Sequence, residues 1–523
     1  MVVWNGVCGC SLSEEALEKI HQFGETWMLA KHLHHPLATL PLMEALEKTL
    51  CVRTVALGGN DVQMLNWDAL CVALGDCPTL ESVNMEVLRL ADKHMEGVRI
   101  LLSNSRSLKV LRLDGNVIGV PGAADLAEGL REAPAITEFY ISKNSLYEGG
   151  GMILEALSHS QTIKLLDLSY ANMNRRNGPQ LEHFLRENCS IEVLKLTGNP
   201  LKEVFSSAAQ AFATNSSLVE LHCEDLEFEA ETGEELAKAL LKNSTLRILF
   251  TGANLMQHGG ARFREVFESN TSLTELDLSQ CRLMDTGSIL IAGLAHNHTL
   301  RQLYLAGNRL GDSFATALSQ AMEHNSTLEE LNLDNNKFTH EGLSVLLDAV
   351  YCHPMLTSLS INACIFGEQH SAALTDQILA ILRDHSTLVE LSIHHCDIAE
   401  EDILRIADAL VENMRVTNIA CRQEFIGDET PNMIARMVGV NQELSLVKLQ
   451  RILFPEDFQQ PLEEGDMQSP LPPFTPHHDL IHQVLGILEN HNRVLKMRMA
   501  SQLSRSPSIA SSIATPINEE APV

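Results

Sequence analysis

Ser326-Thr327-Leu328-Glu329-Glu330-Leu331-Asn332-Leu333-Asp334-Asn335-Asn336 places apolar side chains at 328, 331 and 333 and an asparagine eight residues after the first of them. The same pattern, L-x-x-L-x-L-x-x-N, runs from Leu108 to Asn116, from Ile191 to Asn199 and from Leu300 to Asn308. Weaker copies start at Val52, Leu80, Ile136, Ile163, Leu218, Leu246, Leu273, Leu356, Leu388, Val416 and Leu444. Successive starts lie 27 or 28 residues apart, with one interval of 32 between Leu356 and Leu388. Fifteen copies in one phase are an internal repeat, and the repeat decides the architecture.

Each unit has a physical reading. The L-x-x-L-x-L part is a short strand whose alternate side chains enter a shared core. The eighth position after the start is Asn at 60, 116, 144, 199, 254, 308 and 336, or Cys at 281, 364 and 396. There the chain turns inward, and a small hydrogen-bonding side chain satisfies backbone groups that would otherwise be orphaned. The rest of the unit has helical spacing, as in Phe314, Ala317, Leu318, Ala321 and Met322. No single unit buries its apolar face alone, so the units stack into a solenoid.

These 27–28-residue strand–helix units resemble ribonuclease-inhibitor-type leucine-rich repeats over residues 51–454, about three quarters of the chain. The resemblance implies an α/β horseshoe with a parallel concave sheet and convex helices. The resemblance specifies fold and not function, since the class is similar to inhibitors, Ran-type GTPase activators, sensor arms of innate-immune receptors, and cytoskeletal or ciliary scaffolds. The pattern departs at Leu88, Ala171, Leu226, Glu424 and Ile452, where the asparagine or cysteine is missing and irregular turns are expected.

Outside the array, Ser11-x-x-Glu14 resembles a capping box opening a helix to about Leu33, so residues 1–50 are expected to form a helical cap. Six prolines between Pro455 and Pro476 make 455–477 an extended linker. Residues 478–500 have the apolar stripe of an amphipathic helix (Leu480, Val484, Leu488, Leu495, Met499), with Arg493, Lys496 and Arg498 opposite in charge to the array. Self-association or docking through this helix is one expectation. Residues 501–523 are Ser-, Ala- and Pro-rich and are expected to be disordered. Ser469, Thr475, Ser506 and Thr515 each precede a proline, and Ser501 follows Arg498 by three residues. Kinases read such short patterns, and phosphates there would oppose docking on an acidic surface.

Composition narrows the function. Across 523 residues, 68 acidic side chains against 38 basic ones leave a formal charge of −30, which argues against nucleic acid or an anionic membrane as partner. No apolar run reaches the roughly 20 residues that span a bilayer. The start, Met1-Val2-Val3-Trp4-Asn5-Gly6, has no basic n-region, and the 12 cysteines are scattered, so a reduced cytoplasmic setting is expected, with nuclear, cytoskeletal or ciliary association as variants. There is no GxxxxGK[ST], no GxGxxG after a strand, no HExxH and no GxSxG. Fifty residues ahead of the repeats do not hold a nucleotide-binding module. The array is therefore read as non-enzymatic, without a cofactor.

Two apparent motifs are structural. Asn188, Asn215, Asn243, Asn270, Asn297 and Asn325 each begin an N-x-[ST] sequon, and all six lie three residues before a strand's first apolar position, so they build the helix-to-strand turn. Cys223 and Cys421 fall on core strand positions as small hydrophobes. Cys8, Cys10, His32, His34 and His35 match no structural zinc spacing, nor do His394-His395-Cys396, and no metal is expected.

The informative side chains are those on strand positions +2, +4 and +6, which point away from the core. Acids there are Glu86, Asp114, Glu138, Asp167, Glu220, Glu224, Glu275, Asp277, Glu330, Asp334 and Glu390; the bases counted are Arg112, Lys195, Arg422 and Lys448. With strands about 4.8 Å apart and a screening length of about 8 Å, these carboxylates act jointly and favour a cationic partner. Tyr304 lies between Glu275/Asp277 and Glu330/Asp334, and Tyr140 lies beside Glu138 between Asp114 and Asp167, each suited to anchor an Arg or Lys. The expectation is a protein-interaction scaffold that binds a basic protein partner there. The alternatives are a regulator of enzyme activity (a Ran-type GTPase activator or an inhibitor of a basic hydrolase) and a cytoskeletal or ciliary component.

Overall fold

The computed structural model describes residues 52–393 with breaks at 59, 203, 365–371 and 385–386, and outside that span only strands at 2–3, 26–28 and 418–420 and a few single residues. The chain divides into two compact units, Met1–Lys337 and Phe338–Val523. In the first, the strands Val2–Val3, Thr26–Met28, Thr54–Ala56, Ser82–Asn84, Val110–Arg112, Glu138–Tyr140, Leu165–Asp167, Val193–Lys195, Glu220–His222, Ile248–Phe250, Glu275–Asp277, Gln302–Tyr304 and Glu330–Asn332 pair in parallel, each with the next in sequence. In the second, Ser358–Ser360, Glu390–Ser392 and Asn418–Ala420 pair likewise. Helices such as Val120–Glu132, Gly178–Glu187 and Asp312–Met322 return the chain between strands. This is a leucine-rich-repeat solenoid.

The strand phase agrees with the sequence pattern. Each strand from Thr54–Ala56 to Asn418–Ala420 begins two residues after an expected repeat start. From Ser82–Asn84 to Ser358–Ser360 the middle residue is buried and its neighbours are half-exposed, as in Glu275–Asp277 and Glu330–Asn332. Leu303, Leu305, Leu331 and Leu333 are fully buried, as is Cys223. On the helix Asp312–Met322 the core residues are Phe314, Ala315, Leu318, Ala321 and Met322; Ala317, expected inside, is only half-buried because the apolar arc is centred one position earlier.

Two asparagine ladders tie successive units together. In the first, the Asn254 amide donates to the carbonyls of Cys223 (2.8 Å) and Thr251 (2.9 Å), while its Oδ1 accepts from the backbone N–H groups of Leu226 and Phe228. Asn116, Asn199, Asn308 and Asn336 bond in the same way. The second ladder consists of the sequon asparagines, all buried. Asn243 donates to Phe212 O (3.0 Å) and Asn215 O (3.1 Å) and accepts from the N–H groups of Thr245 and Leu246. The Thr245 hydroxyl donates to the Asn215 carbonyl, so the third sequon residue also serves the stack. These bonds satisfy buried backbone groups that no helix or strand reaches.

The turns at Leu88, Ala171 and Leu226, expected to be irregular, keep the backbone course of the regular ones. All three side chains are buried, and the residues on either side (Val87 and Arg89, Tyr170 and Asn172, Asp225 and Glu227) adopt positive φ. Gly307 and Arg309 flank Asn308, and Gln280 and Arg282 flank Cys281, with the same positive φ. At Leu88 and Leu226 the next unit's asparagine, Asn116 or Asn254, takes up the free N–H. Gly198 has φ +72°, and the Tyr170 ring lies where its Cβ would stand, so a side chain there requires that ring to move.

One expectation is corrected. Residues 26–28 lie within the helix read from Ser11 to Leu33, but they form a strand in register with Thr54–Ala56. The physical reason is the repeat itself: Trp27 pairs with Val55 at the 28-residue period, so a parallel neighbour, not a helix, continues the sheet's unpaired edge. The capping box at Ser11, the zinc-like residues Cys8, Cys10, His32, His34, His35 and 394–396, the repeat at Leu444, and segments 455–477, 478–500 and 501–523 lie outside the described residues, as do Ser469, Thr475, Ser501, Ser506 and Thr515.

Candidate partner-binding face

The parallel register lays equivalent side chains in straight rows across the sheet's solvent face. The +4 row of the first unit runs Arg112, Tyr140, Asp167, Lys195, His222, Phe250, Asp277, Tyr304, Asn332. The +2 row beside it carries Glu138, Leu165, Val193, Glu220, Ile248, Glu275, Gln302 and Glu330. Position +1, farther along each strand's approach, carries charges of both signs that pair between units. Glu81 bridges Arg53 (2.6 Å) and Lys109 (3.0 Å), Lys164 meets Glu192 at 2.6 Å, and Arg301 meets Glu329. Exposed pairs of this kind contribute little stability each, but they give every acid of the +1 row, Glu81, Glu192 and Glu329, a cation of its own. The acids at +2 and +4 are not treated alike.

Near the start of the row Glu86 meets one of the chain's own cations, while Asp114 is raised by burial and by Asp167 and Glu86. The Arg112 guanidinium lies over the Tyr140 ring, 3.7 Å from the centroid, and reaches Glu86 at 3.6 Å. The Tyr140 hydroxyl donates to Glu138 Oε2 at 2.9 Å. Burial, then Glu138, pushes the phenol up to about 12. The arginine anchor expected at Tyr140 is thus supplied internally. Asp167 is held by the Ser169 N–H (2.9 Å).

His222 is clamped between two carboxylates: Nε2 lies 2.6 Å from Glu220 Oε1 and Nδ1 lies 3.6 Å from Glu224 Oε1. Glu224 also accepts from the Thr197 hydroxyl at 2.6 Å. Burial pulls the imidazole down, but the bonds and charges of Glu224 and Glu220 outweigh it and its pKa rises. Burial pushes Glu224 up, but the His222 and Thr197 bonds outweigh that and it falls. One face of the imidazole stacks on Phe250, ring centroids 4.7 Å apart and 25° from parallel.

Beyond Phe250 the balance fails. Glu275 is raised by burial and then by Glu330 and Glu220; Asp277 is raised by burial in spite of the Ser279 N–H that it accepts at 2.7 Å. Neither carboxylate takes part in an ion pair among the described residues. The Tyr304 phenol is raised by burial and by Glu330 and Glu275, and its hydroxyl is 3.5 Å from Gln302 Oε1. Four of the residues singled out in the sequence, Glu275, Asp277, Tyr304 and Glu330, therefore share one patch, with Glu220 at its edge. Asp334 follows the strand Glu330–Asn332, its N–H on Asn332 Oδ1 (2.9 Å). Glu390 lies in the second unit, exposed, 3.5 Å from the Ser358 hydroxyl.

Sequence reasoning missed His222 and Phe250. Both occupy the +4 phase that singled out Tyr304, so the signal was present; the count of bases omitted histidine, and a phenylalanine reads by default as core. The described residues contain no group of three His, Cys, Asp or Glu able to hold a metal ion, and no helix long and apolar enough to cross a membrane.

Comparisons with known proteins agree with this architecture. The leucine-rich repeat family model matches residues 104–127, 269–292, 296–319 and 324–347. Ribonuclease inhibitor of Sus scrofa is 24% identical over 375 residues, 68% of this chain and 79% of the inhibitor. NACHT, LRR and PYD domains-containing protein 13 of Homo sapiens is 25% identical over 374 residues, 70% of this chain. Protein CARMIL of Dictyostelium discoideum is 26% identical over 268 residues, 46% of this chain. The matched region spans 32% of the human protein and 26% of CARMIL. The chain is thus similar to leucine-rich repeat proteins of the ribonuclease-inhibitor type.

Proposed function

We propose that the chain is a non-enzymatic interaction scaffold that binds a basic protein on the sheet face around Glu275, Asp277, Tyr304 and Glu330. One observation carries this reading: Glu275 and Asp277 are held close to further acids and partly buried, with no ion pair to either among the described residues, while the acids of the +1 row and Glu86 beside Arg112 meet cations within the chain. Such an arrangement costs stability in isolation and is relieved by a partner's positive charge. A rigid strand array also binds with little reordering, so affinity concentrates in a few anchors. The net charge of −30 steers basic partners to it. The reading places the protein in the cytoplasm, free or on the cytoskeleton.

The test is partner capture followed by mass spectrometry, parent against a variant with Glu275→Lys, Asp277→Lys, Glu330→Lys and Asp334→Lys, after circular dichroism has shown the variant folded. Loss of a discrete partner set is the expected result; an unchanged set removes the site from this face. A second reading, inhibition of a basic hydrolase, is favoured by the match over 79% of the pig ribonuclease inhibitor. Pancreatic-type ribonuclease assayed with stoichiometric protein tests it, and undiminished activity overturns it.

A further inference from the structure

The +4 row packs flat groups face to face. The spacing of the His222–Phe250 stack, 4.7 Å, matches the roughly 4.8 Å between strands. Both rings therefore stand across the row, and the free face of Phe250 looks along it toward Asp277. The Arg112–Tyr140 stack at 3.7 Å runs in the same direction. The Tyr304 hydroxyl lies 3.5 Å from Gln302 Oε1 and bonds Glu330 on the next strand, whereas the Tyr140 hydroxyl donates to Glu138 on its own strand. Between Phe250 and Tyr304 stands only the short side chain of Asp277, in register with both.

The result is a slot. Two strand spacings separate the Phe250 and Tyr304 positions by about 10 Å, and two plate-to-plate contacts of the Arg112–Tyr140 length fit within that. Glu275 and Glu330 stand on the adjoining row. Phe250 is also the one phenylalanine among the described residues that is not buried; the others, from Phe139 to Phe338, all lie in the core. The clamped His222 imidazole covers one face of the Phe250 ring; the other faces Asp277, where a second flat cation would stack in the same way.

The chain contains an occupied counterpart. At Tyr140 the preceding strand's +4 residue is Arg112, whose guanidinium covers the ring and reaches an acid; at Tyr304 the preceding +4 residue is Asp277. The same repeat position thus holds a guanidinium in one place and a carboxylate in the other.

We propose that the slot between Phe250 and Tyr304 takes the guanidinium of an arginine from the partner protein, stacked between the rings with its N–H groups on Asp277 and its charge shared with Glu275 and Glu330. This deepens the scaffold reading and rests on it: the acids supply charge, while the rings select arginine over lysine. A planar, weakly hydrated guanidinium stacks where a hydrated ammonium does not.

The full chain is titrated with nona-arginine and nona-lysine, peptides of equal charge, at physiological salt. Tighter binding of nona-arginine, on the order of tenfold, is expected. Phe250→Leu and Tyr304→Leu should remove that preference and leave the nona-lysine affinity unchanged, and Tyr304→Phe should keep it. Thermal melts establish that each variant is folded. Because arginine prefers carboxylates generally, a preference that survives both leucine variants overturns the slot, as does equal binding of the two peptides by the parent. Binding of neither peptide overturns the acidic-face reading as well, so the two failures are distinguishable.

Discussion

Arg112 lies across the ring of Tyr140, its guanidinium carbon 3.7 Å from the centroid, although the two residues are 28 apart in sequence. The stack exists because the repeat sets neighbouring strands in register, Arg112 opposite Tyr140. A double-mutant cycle with Arg112→Ala and Tyr140→Leu should give a coupling of about 0.5–1 kcal/mol, as for a partly exposed cation–π pair. Chemical denaturation monitored in this part of the chain measures it; zero coupling would mean the contact is not maintained in solution.

Neutralising Glu275 and Asp277 should stabilise the protein. Glu275 and Asp277 have raised pKa values, so the folded state binds their protons more tightly than the unfolded chain does. Their charge is therefore a penalty, present above the folded values and removed as pH falls through them toward the unfolded values near 4. Glu275→Gln with Asp277→Asn should melt higher than the parent at pH 7, and the gain should vanish below about pH 4. A lower melting temperature at pH 7 would contradict it.

The His222 clamp has the opposite sign. Its raised pKa means a contribution fully present below the ordinary histidine value of about 6.5 and lost as pH rises through the folded value. Glu224, lowered, contributes above its unfolded value and loses that only as pH falls through the folded one. The stability difference between parent and His222→Gln should be greatest near pH 5–6 and smaller at pH 8.5. Melts across that range decide, and a difference that grows with pH would refute the clamp.

Asn243→Ala should be costly for a polar-to-apolar change. Two donated and two accepted bonds disappear at a buried site: the Thr245 and Leu246 N–H groups lose the side-chain acceptor, while the Phe212 and Asn215 carbonyls keep only the Asn215 N–H and the Thr245 hydroxyl. A loss of about 1–3 kcal/mol is expected. Hydrogen exchange of residues 245–250 locates it, and unchanged protection there would mean water substitutes for the side chain.

In the core, Leu303→Ala or Leu331→Ala should each cost about 2–5 kcal/mol, since both side chains are fully buried. Parent-like denaturation midpoints for both would place the core elsewhere.

The repeat phase, the strand positions and the burial of Leu303, Leu305, Leu331 and Leu333 are legible in the sequence, because a 28-residue period repeats the same environment and each copy corroborates the others. The sequon asparagines were legible for the same reason: their shared phase marks a turn. The N-terminal strand Thr26–Met28 was not, because a capping-box pattern is local, whereas joining a sheet edge depends on a neighbour 28 residues away.

The sequence by itself determined that a row of acids and two tyrosines faces solvent, since strand alternation fixes which side chains leave the core. Only the tertiary structure decided which of them are already satisfied. Tyr140 and Tyr304 occupy the same repeat position and read alike along the chain. Lateral stacking puts Arg112 on one and Asp277 beside the other, and contact between strands, not order along them, sets whether a charge is met.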